Sequence, residues 1–450
     1  MPGIRFRGQS NRMKALVLFL LFCSGILAAG ERTWTDAASG RTLTADFVSA
    51  NNGSVTLRRA ADGREFTLPL GSLIEADQMF VEEQSKIVKV KVDADCFEPF
   101  NWNSTDSIRG SEKPDRLFRF VDEAVVTWAY DKSVAAAVVA VSENGEIIYE
   151  RAFGYQDALR QEPLLTATVM RLASISKPIT AAVAKTLIRD GKLQEADIVW
   201  QLLNLDGKAP PGVDARWKDI TIGHLLKHEA GWDREGSGAV SFMAPRISED
   251  TGAELNQLTF GHMLLWMLQR PLDFDPGSKE AYSNFGYSLL AYVCATVCGK
   301  PWIEVVKETV GQAAGMTTLS VSASDVAKRA PGETWYHYHP EYTKEPEVMP
   351  LRMELKQGSG SLACSAGDYC RFLEKYWISG EPRDDKIYNY TFFGSMPGTT
   401  AICRQMDNGF SFVIVGNRRS DSPEDWTKDG MDAVELMEEA LELVILNRGE

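Results

Sequence analysis

The chain has 450 residues, of which 44% are hydrophobic and 24% are charged, a balance that is ordinary for a globular protein. The formal net charge of -14 excludes a nucleic-acid binder that works through a basic face, because neutralising phosphates requires clustered Lys and Arg. At this length the chain can bury a large core and form more than one domain.

Residues 1–30 have the pattern of a signal peptide. Basic residues from Arg5 to Lys14 precede the apolar run ALVLFLLFCSGILAA, and small residues then give way to the polar GERTW. This order predicts cleavage between Ala28 and Glu31. The run is too short for a comfortable transmembrane helix. We therefore expect a secreted or periplasmic protein with no membrane span after cleavage.

Residues 31–84 are predicted to form a small β module. The segments RTLTADFVSA, SVTLRRA and REFTLPL alternate apolar and polar residues, with turns at NNG and ADG, and SLIEADQMFVEEQ predicts a closing helix. RTWTD, the strand pair and the ending LPL..L.EADQ resemble small barrels of Src-homology-three type. The resemblance implies an all-β barrel with a structural or targeting role and an unknown partner. Residues 85–114, which include NWNSTDSIRGSEKPD, are expected to form a linker.

Residues 115–450 have the pattern of one α/β domain. DRLFRFVDEAVVTWAYD has helical periodicity, and MDAVELMEEALELVILN predicts a final helix. Hairpins are predicted at VAAAVVAVS-ENG-EIIYERAFGY and at TTAICRQ, DNG and FSFVIVGNR, near the two ends of the domain. Strands at both ends with helices between them predict one antiparallel sheet that is built from both termini.

The segment MRLASISKPIT places a serine three residues before a lysine. Pro178 is tolerated only in the first turn of a helix, so a helix through TAAVAKTLIRDGKL must begin close to Ser174. Lys177 then lies one turn on, on the same face as Ser174. The Ser174 N–H becomes one of the unpaired donors of the helix N-terminus.

This pair fits the activation of a nucleophile. A serine hydroxyl is a weak nucleophile until a neighbouring base takes its proton. A lysine serves as that base when burial lowers its pKa from about 10.4 towards roughly 7 to 8. The free Ser174 N–H is half of an oxyanion hole. An SxxK match also arises by chance or as a polar helix start, so the interpretation depends on the rest of the chain.

A second motif, Tyr282-Ser283-Asn284, stands between DPG and an apolar helix in EAYSNFGYSLLAYVCATVCGK. With SxxK and YxN in this order, the sequence resembles the serine β-lactamase and penicillin-binding protein superfamily. The likeness is greatest to class C β-lactamases, their esterase relatives and the mitochondrial LACTB-type proteases. DITIGHLLKHEAGWD, AAGMTTL and GSGSLACSAGDYCRFLEKYW match the family pattern in order.

The resemblance implies roles for the motif residues. Ser174 is then the nucleophile that forms an acyl-enzyme and Lys177 its base. Tyr282 shuttles protons to the leaving group, and Asn284 hydrogen-bonds Lys177 or a substrate amide. The implied fold is an antiparallel sheet flanked by helices, with an all-helical subdomain. Without Ser174, the second motif is typical of a turn with an anchoring aromatic residue.

The third family motif, Lys-Thr-Gly or His-x-Gly before Pro-Gly, aligns with NYTFFGSMPG. Gly394 is retained, and the resemblance implies that the Ser395 N–H is the second oxyanion donor. The cationic position is Phe392, which cannot bind a carboxylate. We therefore expect neutral esters, or amides within peptides, rather than carboxylate-bearing β-lactams. Arg404 on the next strand is an alternative source of charge, although an exposed strand arginine is the commoner situation.

Other candidate sites are weaker. His337 and His339 form a possible metal pair, as do His224 and His228, but no third ligand has zinc spacing. We expect no metal and no cofactor, and a packed helix end at His224 and His228. The cysteines outside the signal peptide are expected to be mostly free and buried, although an exported chain permits disulfides: Cys96, Cys294, Cys298, Cys364, Cys370 and Cys403.

Two functional hypotheses remain from the sequence. The first is an exported serine hydrolase that cleaves a small-molecule or peptide substrate through an acyl-enzyme. The second is a catalytically inactive binding scaffold on the same fold. Phe392 favours the second, whereas retention of Ser174, Lys177, Tyr282 and Asn284 favours the first. Residues 233–260 and 320–357 are the expected substrate loops, and their sequences do not identify the substrate.

Overall fold

The computed structural model describes residues 32–51, 53–86, 108–110, 117–157, 162–234, 236–237, 240, 243–324, 329–337, 352–420 and 425–448. The predicted signal peptide, most of the predicted linker, Cys96 and His339 lie outside these residues. The chain divides near residue 91 into two compact units.

The N-terminal unit is a four-stranded antiparallel sheet in the order β1-β2-β3-β4. Its elements are β1 Arg32–Thr35, β2 Thr42–Asn51, β3 Ser54–Arg59, β4 Glu65–Pro69 and the helix α1 Glu75–Lys86. Alternate side chains of the strands, among them Val55 and Leu57, are buried with Trp34 in a small core. The antiparallel sheet that was predicted for this segment is therefore present, and its likeness to a Src-homology-three barrel stays a prediction.

A buried carboxylate connects α1 to the first strand of this unit. Asp77 is only 2% exposed. Its Oδ1 accepts a hydrogen bond from the Arg32 guanidinium at 2.8 Å, and its Oδ2 accepts one from the Thr35 N–H at 2.8 Å. A buried carboxylate is stable only when it is paired in this way, so the two bonds fix the helix on the sheet.

The second unit alternates strands and helices. Its strands are β5 Ile108–Gly110, β6 Ala136–Glu143, β7 Glu146–Gly154, β8 Met170–Arg171, β9 Ser320–Val321, β10 Leu362–Cys364, β11 Tyr390–Met396, β12 Thr399–Gln405 and β13 Phe410–Gly416. Its helices are α2 Arg119–Asp131, α3 Ser176–Arg189, α4 Val199–Leu202, α5 Ile222–Leu226, α6 Ala244–Thr251, α7 Phe260–Leu268, α8 Asn284–Cys298, α9 Trp302–Val306, α10 Gln312–Ala314, α11 Gln357–Gly360, α12 Ala366–Lys375 and α13 Asp425–Leu446.

The main sheet has six antiparallel strands in the order β11-β12-β13-β6-β7-β5. The strand β13, from the end of the chain, pairs with β6 near the beginning of the unit, so that Val415 lies opposite Val138. Both strands are buried almost throughout, which fits their continuous apolar runs. The prediction of one antiparallel sheet built from both termini is therefore confirmed. Ile108–Gly110, within the predicted linker, adds the edge strand β5 beside β7.

Each face of this sheet packs against helices, because successive side chains of a strand point to opposite faces. Val139 and Ile414 lie on the face covered by α2 and α13. Ala140 and Val413 lie on the other face, in a larger core that includes α3, α8 and α12. The Trp128 indole N–H of α2 donates to the Asp429 carbonyl oxygen of α13 at 2.9 Å. The fold is the predicted antiparallel sheet flanked by helices.

The helical part between α3 and β9 has an aromatic core. Trp217, Trp232, Phe260 and Phe285 are buried, and the rings of Trp232 and Phe285 meet at right angles with centroids 4.7 Å apart. No single helix within the described ranges is long and apolar enough to cross a membrane. The bent pair Asn284–Cys298 and Trp302–Ala314, at 82°, reaches that length and composition only when the two helices are taken together.

The described cysteines are free, and all but one of them are buried: Cys294, Cys298, Cys364, Cys370 and Cys403. The exception is Cys298, which is partly exposed. The expectation of mostly free, buried thiols is confirmed for these five. Burial raises the pKa of the Cys403 thiol to about 12, so it stays protonated.

Trp128→Ala tests the packing of α2 against α13, on the face of the sheet that carries Val139 and Ile414. The substitution removes a side chain that is 1% exposed, together with its bond to α13. We expect the free energy of unfolding to fall by about 3 to 5 kcal/mol, measured by denaturant titration. Tyr130→Ala on the same helix is the control, since Tyr130 is 55% exposed and should change stability little. Equal losses in both variants would contradict the packing described here.

Candidate active site

Ser174 lies in a sharp turn between the short strand β8 and the helix α3. A 3₁₀ turn over Ala173–Ile175 leads directly into α3, which begins at Ser176. Pro178 therefore lies in the first helical turn, as its missing N–H requires. Ala173 has a φ of 48°, a left-handed conformation that is costly for a residue with a side chain. The strained residue immediately before Ser174 turns the chain into the helix.

The Lys177 amine has three oxygen neighbours. Nζ lies 3.1 Å from the Ser174 Oγ, 2.8 Å from the Asn284 Oδ1 and 2.8 Å from the Ser359 carbonyl oxygen. The latter two oxygens only accept hydrogen bonds. A neutral amine has two hydrogens and one lone pair. If these two acceptors take the hydrogens, the lone pair is directed at the Ser174 hydroxyl.

The surroundings of Lys177 favour this neutral form. The residue is 2% exposed, and burial is the main reason why the pKa of its amine lies well below the usual value. The positive charges of Lys356 and Arg234 lower it further. Burial also lowers the pKa of Lys356 to about 7. Arg234 and Lys356 fall within the expected substrate loops, 233–260 and 320–357, but neither belongs to a motif and nothing in the sequence singles them out.

Tyr282 completes the arrangement around the Ser174 hydroxyl. Its phenolic O–H donates to the Ser174 Oγ at 2.8 Å, and the Lys177 Nζ lies 4.7 Å from the ring centroid. Burial raises the pKa of Tyr282 to about 12, so the phenol keeps its proton. The Ser174 Oγ thus accepts from Tyr282 while its own hydrogen is available to Lys177.

Asn284 is held by the start of α8. The Ser283 hydroxyl oxygen accepts from the Gly286 N–H at 3.1 Å and caps this helix. This cap fixes the first helical residue, Asn284, whose side chain faces Lys177. The apolar run that follows the motif buries most of α8, so the motif stands on a rigid element.

The carbonyl of Ser359 comes from a glycine-rich turn that matches the family pattern but to which no role was assigned from the sequence. At Gly358, an added Cβ would lie 2.7 Å from the Thr180 Oγ1 and 2.7 Å from the Ala291 Cβ. Glycine is therefore required for α11 to approach α3 and α8 this closely. The signal was present in the sequence as GSGS, but nothing in it indicates which backbone carbonyl would face a lysine.

The strand β11 lies against the nucleophile turn. A Cβ on Gly394 would be 2.5 Å from the Leu172 carbonyl oxygen and 3.1 Å from the Ser174 nitrogen. Ser395 lies opposite Thr400, one position before the pair that closes the two-residue turn to β12. In an antiparallel ladder this alternation turns the Ser395 N–H away from β12, at the edge of the sheet.

The residues near the third motif occupy opposite faces of the sheet. Phe392 is half-buried on the face that carries Gly394, and it packs against the larger core. Phe393 packs on the other face, against α2 and α13. Arg404 also points away from the site, because its Nε donates to the Glu438 carboxylate of α13 at 2.8 Å. Arg404 therefore does not supply the missing cation.

His228 lies beside Tyr282, a position that sequence reasoning missed. Its ring centroid is 4.8 Å from that of Tyr282, and its Nδ1 accepts from the Ser283 N–H at 3.1 Å. Burial, the largest cause, lowers the pKa of His228 to about 3. His224 instead accepts from the Thr221 N–H at its own helix start. The two histidines thus have different partners and do not form a pair.

No group of three or more His, Cys, Asp and Glu within the described ranges could hold a metal ion. His337 is buried next to Trp335 and donates its backbone N–H to the Asn417 carbonyl oxygen at 2.8 Å. The side chains of Ser174, Lys177, Tyr282 and Asn284 meet in one place and offer nucleophilic and acid–base chemistry.

Curated proteins with similar sequences carry hydrolase or penicillin-binding names. The chain is 32% identical to Esterase EstB of Burkholderia gladioli over 190 residues. This matched stretch covers 41% of this chain and 47% of that protein. It is 27% identical over 296 residues to Penicillin-binding protein 4* of Bacillus subtilis (strain 168), which covers 61% and 59% respectively. The chain thus spans about half to three-fifths of the length of these relatives.

Solved structures share the fold at low sequence identity. The octameric penicillin-binding protein homologue from Pyrococcus abyssi superposes with a TM-score of 0.54 at 19% identity, covering 72% of this chain and 77% of that one. The β-lactamase/D-alanine carboxypeptidase from Yersinia pestis gives 0.53 at 16% identity, covering 72% and 98%. Likeness at this level shows the fold alone.

The family model described as Beta-lactamase matches residues 116–428, which are more than half of the chain. This stretch contains the turn at Ser174, the motif at Tyr282 and the strand at Gly394. The predicted superfamily is therefore confirmed, while the LACTB-type subfamily stays a prediction. The chain belongs to the Beta-lactamase family.

Proposed function

We propose that this protein is a serine hydrolase that cleaves an ester or amide bond through an acyl-enzyme on Ser174, as an esterase or peptidase rather than as an efficient β-lactamase. One observation carries the proposal. The buried Lys177 amine has two fixed acceptors, the Asn284 Oδ1 and the Ser359 carbonyl oxygen, and its remaining neighbour is the Ser174 Oγ. This is the geometry of a base that is already aimed at its nucleophile.

In the acylation step, the neutral Lys177 amine takes the hydroxyl proton of Ser174 while the Oγ attacks the carbonyl carbon of the substrate. The carbonyl oxygen becomes an oxyanion and accepts from the Ser174 and Ser395 N–H groups. The new Lys177 ammonium has three hydrogens and keeps its bonds to Asn284 and Ser359. Loss of one oxyanion donor costs roughly 100- to 1000-fold in rate.

Collapse of the intermediate breaks the bond to the leaving group, which needs a proton. Tyr282 gives its phenolic proton to the leaving oxygen or nitrogen, and Lys177 returns a proton to Tyr282. In the second half-reaction a water attacks the acyl carbon and gives its proton to the same pair of residues. The Ser174 oxygen leaves and is reprotonated, so the enzyme returns to its starting state.

The preference for neutral substrates rests on Phe392. An apolar ring stands where the family motif has a cation, and Arg404 is bound to Glu438 on the other face of the sheet. A carboxylate bound at this position would lose water without gaining a partner. The esterase name of one relative supports ester cleavage, and the penicillin-binding name of another supports peptide-like amides. The predicted LACTB-type likeness also favours peptides.

The signal peptide pattern supports export to the periplasm or the medium. The N-terminal sheet, if its likeness to a Src-homology-three barrel holds, serves attachment or targeting and not catalysis. The alternative function is an inactive binding scaffold, favoured by the loss of the cation at Phe392. The four polar side chains that meet around the Ser174 Oγ and the Lys177 Nζ weigh against this alternative.

Incubation with a fluorophosphonate, followed by intact mass measurement, tests the role of Ser174. We expect one adduct on the wild type and none on Ser174→Ala, and ester hydrolysis should fall by about 10⁴-fold or more. Ser176→Ala is the matched control, since this buried hydroxyl lies two residues on and has no hydrogen-bond partner among the described residues. A folded wild type that forms no adduct would favour the binding scaffold.

Phe392→Lys tests the origin of substrate preference. On the wild type we expect kcat/KM for a neutral aryl ester to exceed that for a carboxylate-bearing β-lactam by at least about 100-fold, the worth of one charged partner. The lysine variant should narrow this ratio, and Phe392→Leu should leave it unchanged. Efficient turnover of the β-lactam by the wild type would contradict the proposed preference for neutral substrates.

The pH dependence of kcat/KM tests the base. Lys177 must be neutral, so activity should rise once with pH, with an apparent pKa well below 10.5. The pKa values of His228, about 3, and Tyr282, about 12, lie outside the working range, so no falling limb is expected near neutral pH. Arg234→Gln removes a positive charge and should move the rise to higher pH. A bell-shaped profile centred near pH 7 would contradict this scheme.

A further inference from the structure

A buried polar pair, Tyr369 of α12 and Cys403 of β12, lies behind the candidate site and has no part in the mechanism above. Both side chains are fully buried. They lie in the larger core, between α12 and the face of the main sheet that carries Ala140 and Val413. Polar groups in such a core remove stability unless they are hydrogen-bonded, so their partners are informative.

The partners of this pair are two backbone carbonyls. The Tyr369 O–H donates to the Ile175 carbonyl oxygen at 2.7 Å. The Cys403 Sγ lies 3.6 Å from the Tyr369 hydroxyl oxygen and 3.6 Å from the Phe392 carbonyl oxygen. The thiol donates its hydrogen to the Phe392 carbonyl oxygen. The Cys403 Sγ in turn accepts from the Tyr369 O–H, whose single hydrogen is shared with the Ile175 carbonyl oxygen. The two side chains thus form a continuous polar connection from Ile175 to Phe392.

The two carbonyls belong to the segments that carry the proposed oxyanion donors. Ile175 directly follows Ser174, whose N–H is one donor. Phe392 lies on β11, three residues before Ser395, whose N–H is the other. Because β11 is the edge of the sheet, it has a neighbouring strand on one side only. Its distance from the nucleophile turn is therefore not fixed by strand pairing alone.

The approach of these two segments leaves little tolerance. Gly394 is so close to the turn that a Cβ would lie 2.5 Å from the Leu172 carbonyl oxygen. Two donors must meet one oxygen at about 2.7 to 3.1 Å, and a displacement of about 1 Å can cost roughly 100-fold in rate. Contacts that fix the distance between Ile175 and Phe392 therefore also fix the distance between the two oxyanion donors.

We propose that Tyr369 and Cys403 are positioning residues that set the separation of the two oxyanion donors by joining the nucleophile turn to the strand β11 from behind. This rests on the proposed role of Ser174. Neither side chain touches the substrate. Cys403 pairs with Phe392 across the two strands, and Tyr369 reaches from α12 to the turn.

The connection carries no charge. Burial raises the pKa of Tyr369 well above its usual value and that of Cys403 to about 12, so both keep their protons throughout the working range. Its loss should therefore lower the rate without moving the pH profile, which is set by Lys177. A lower rate with an unchanged pH profile therefore indicates altered geometry of the oxyanion hole, whereas a shifted profile indicates an altered pKa of Lys177.

The test compares the full-length wild type with Tyr369→Phe and Cys403→Ala on a neutral aryl ester. We expect kcat to fall by about 10- to 100-fold in Tyr369→Phe, with KM changed less than about twofold, since the oxyanion forms only after binding. An aryl boronic acid, whose tetrahedral adduct places an oxygen between the two donors, should lose affinity in proportion to kcat/KM. Cys403→Ser, which keeps a donor, should retain more activity than Cys403→Ala.

Two neighbours serve as matched controls. Tyr376→Phe removes a hydroxyl from the same aromatic cluster, and Cys370→Ala removes a buried thiol that donates to the Ala140 carbonyl oxygen at 3.3 Å. Both should leave kcat unchanged. If Tyr369→Phe does not fold, the two Cys403 variants decide the question.

Equal kcat in Tyr369→Phe and Tyr376→Phe, or a lower melting temperature without the split between kcat and KM, would overturn the inference. A shifted apparent pKa in the variants would also overturn it, because the pair would then act on Lys177. Failure of the proposed function is seen separately, as a wild type without adduct or turnover. In that case the inferred role falls with it.

Discussion

The removal of the Lys177 amine from water is the constraint on which the rest of the site depends. A buried ammonium is costly, so burial lowers the pKa of the amine and favours the neutral form that a base requires. The oxygens of Asn284 and Ser359 compensate part of the lost hydration and at the same time orient the lone pair. The same packing therefore buries the Lys177 amine, orients its lone pair and lowers its pKa.

This arrangement needs three helices to converge. Lys177 stands on α3, Asn284 begins α8, and Ser359 belongs to α11, where the absence of a Cβ at Gly358 allows close approach. The sheet supplies the fourth side through β11, with Gly394 against the turn. Small residues and helix starts thus do most of the positioning, while the large apolar side chains of α3 and α8 hold these elements in the core. The site is rigid because each polar group stands at the end of a packed element.

The sequence predicted the parts of the site that depend on local rules. Pro178 located the start of α3, and the spacing from Ser174 to Lys177 placed both on one face. The hairpins were evident from turn residues between apolar runs, and family likeness joined Tyr282 and Asn284 to a turn more than 100 residues away. What could not be predicted were contacts through backbone atoms and through distant packing. The Ser359 carbonyl, the ring of His228 and the hydroxyl of Tyr369 follow no spacing rule. They depend on how helices that are far apart in the chain pack in three dimensions.

The origin of the main sheet in both ends of the unit bears on when the enzyme becomes active. The nucleophile turn and its lysine are made early, but β11 and the strands β12 and β13 that link it to β6 lie at residues 390–416. A chain that is still emerging from the ribosome has the serine and the base without the second wall of the oxyanion hole. Its strand β6 also lacks the neighbour that buries it, so folding must wait for these long-range pairings. The proposed site is therefore complete only after residues 390–416 have been made and paired with β6.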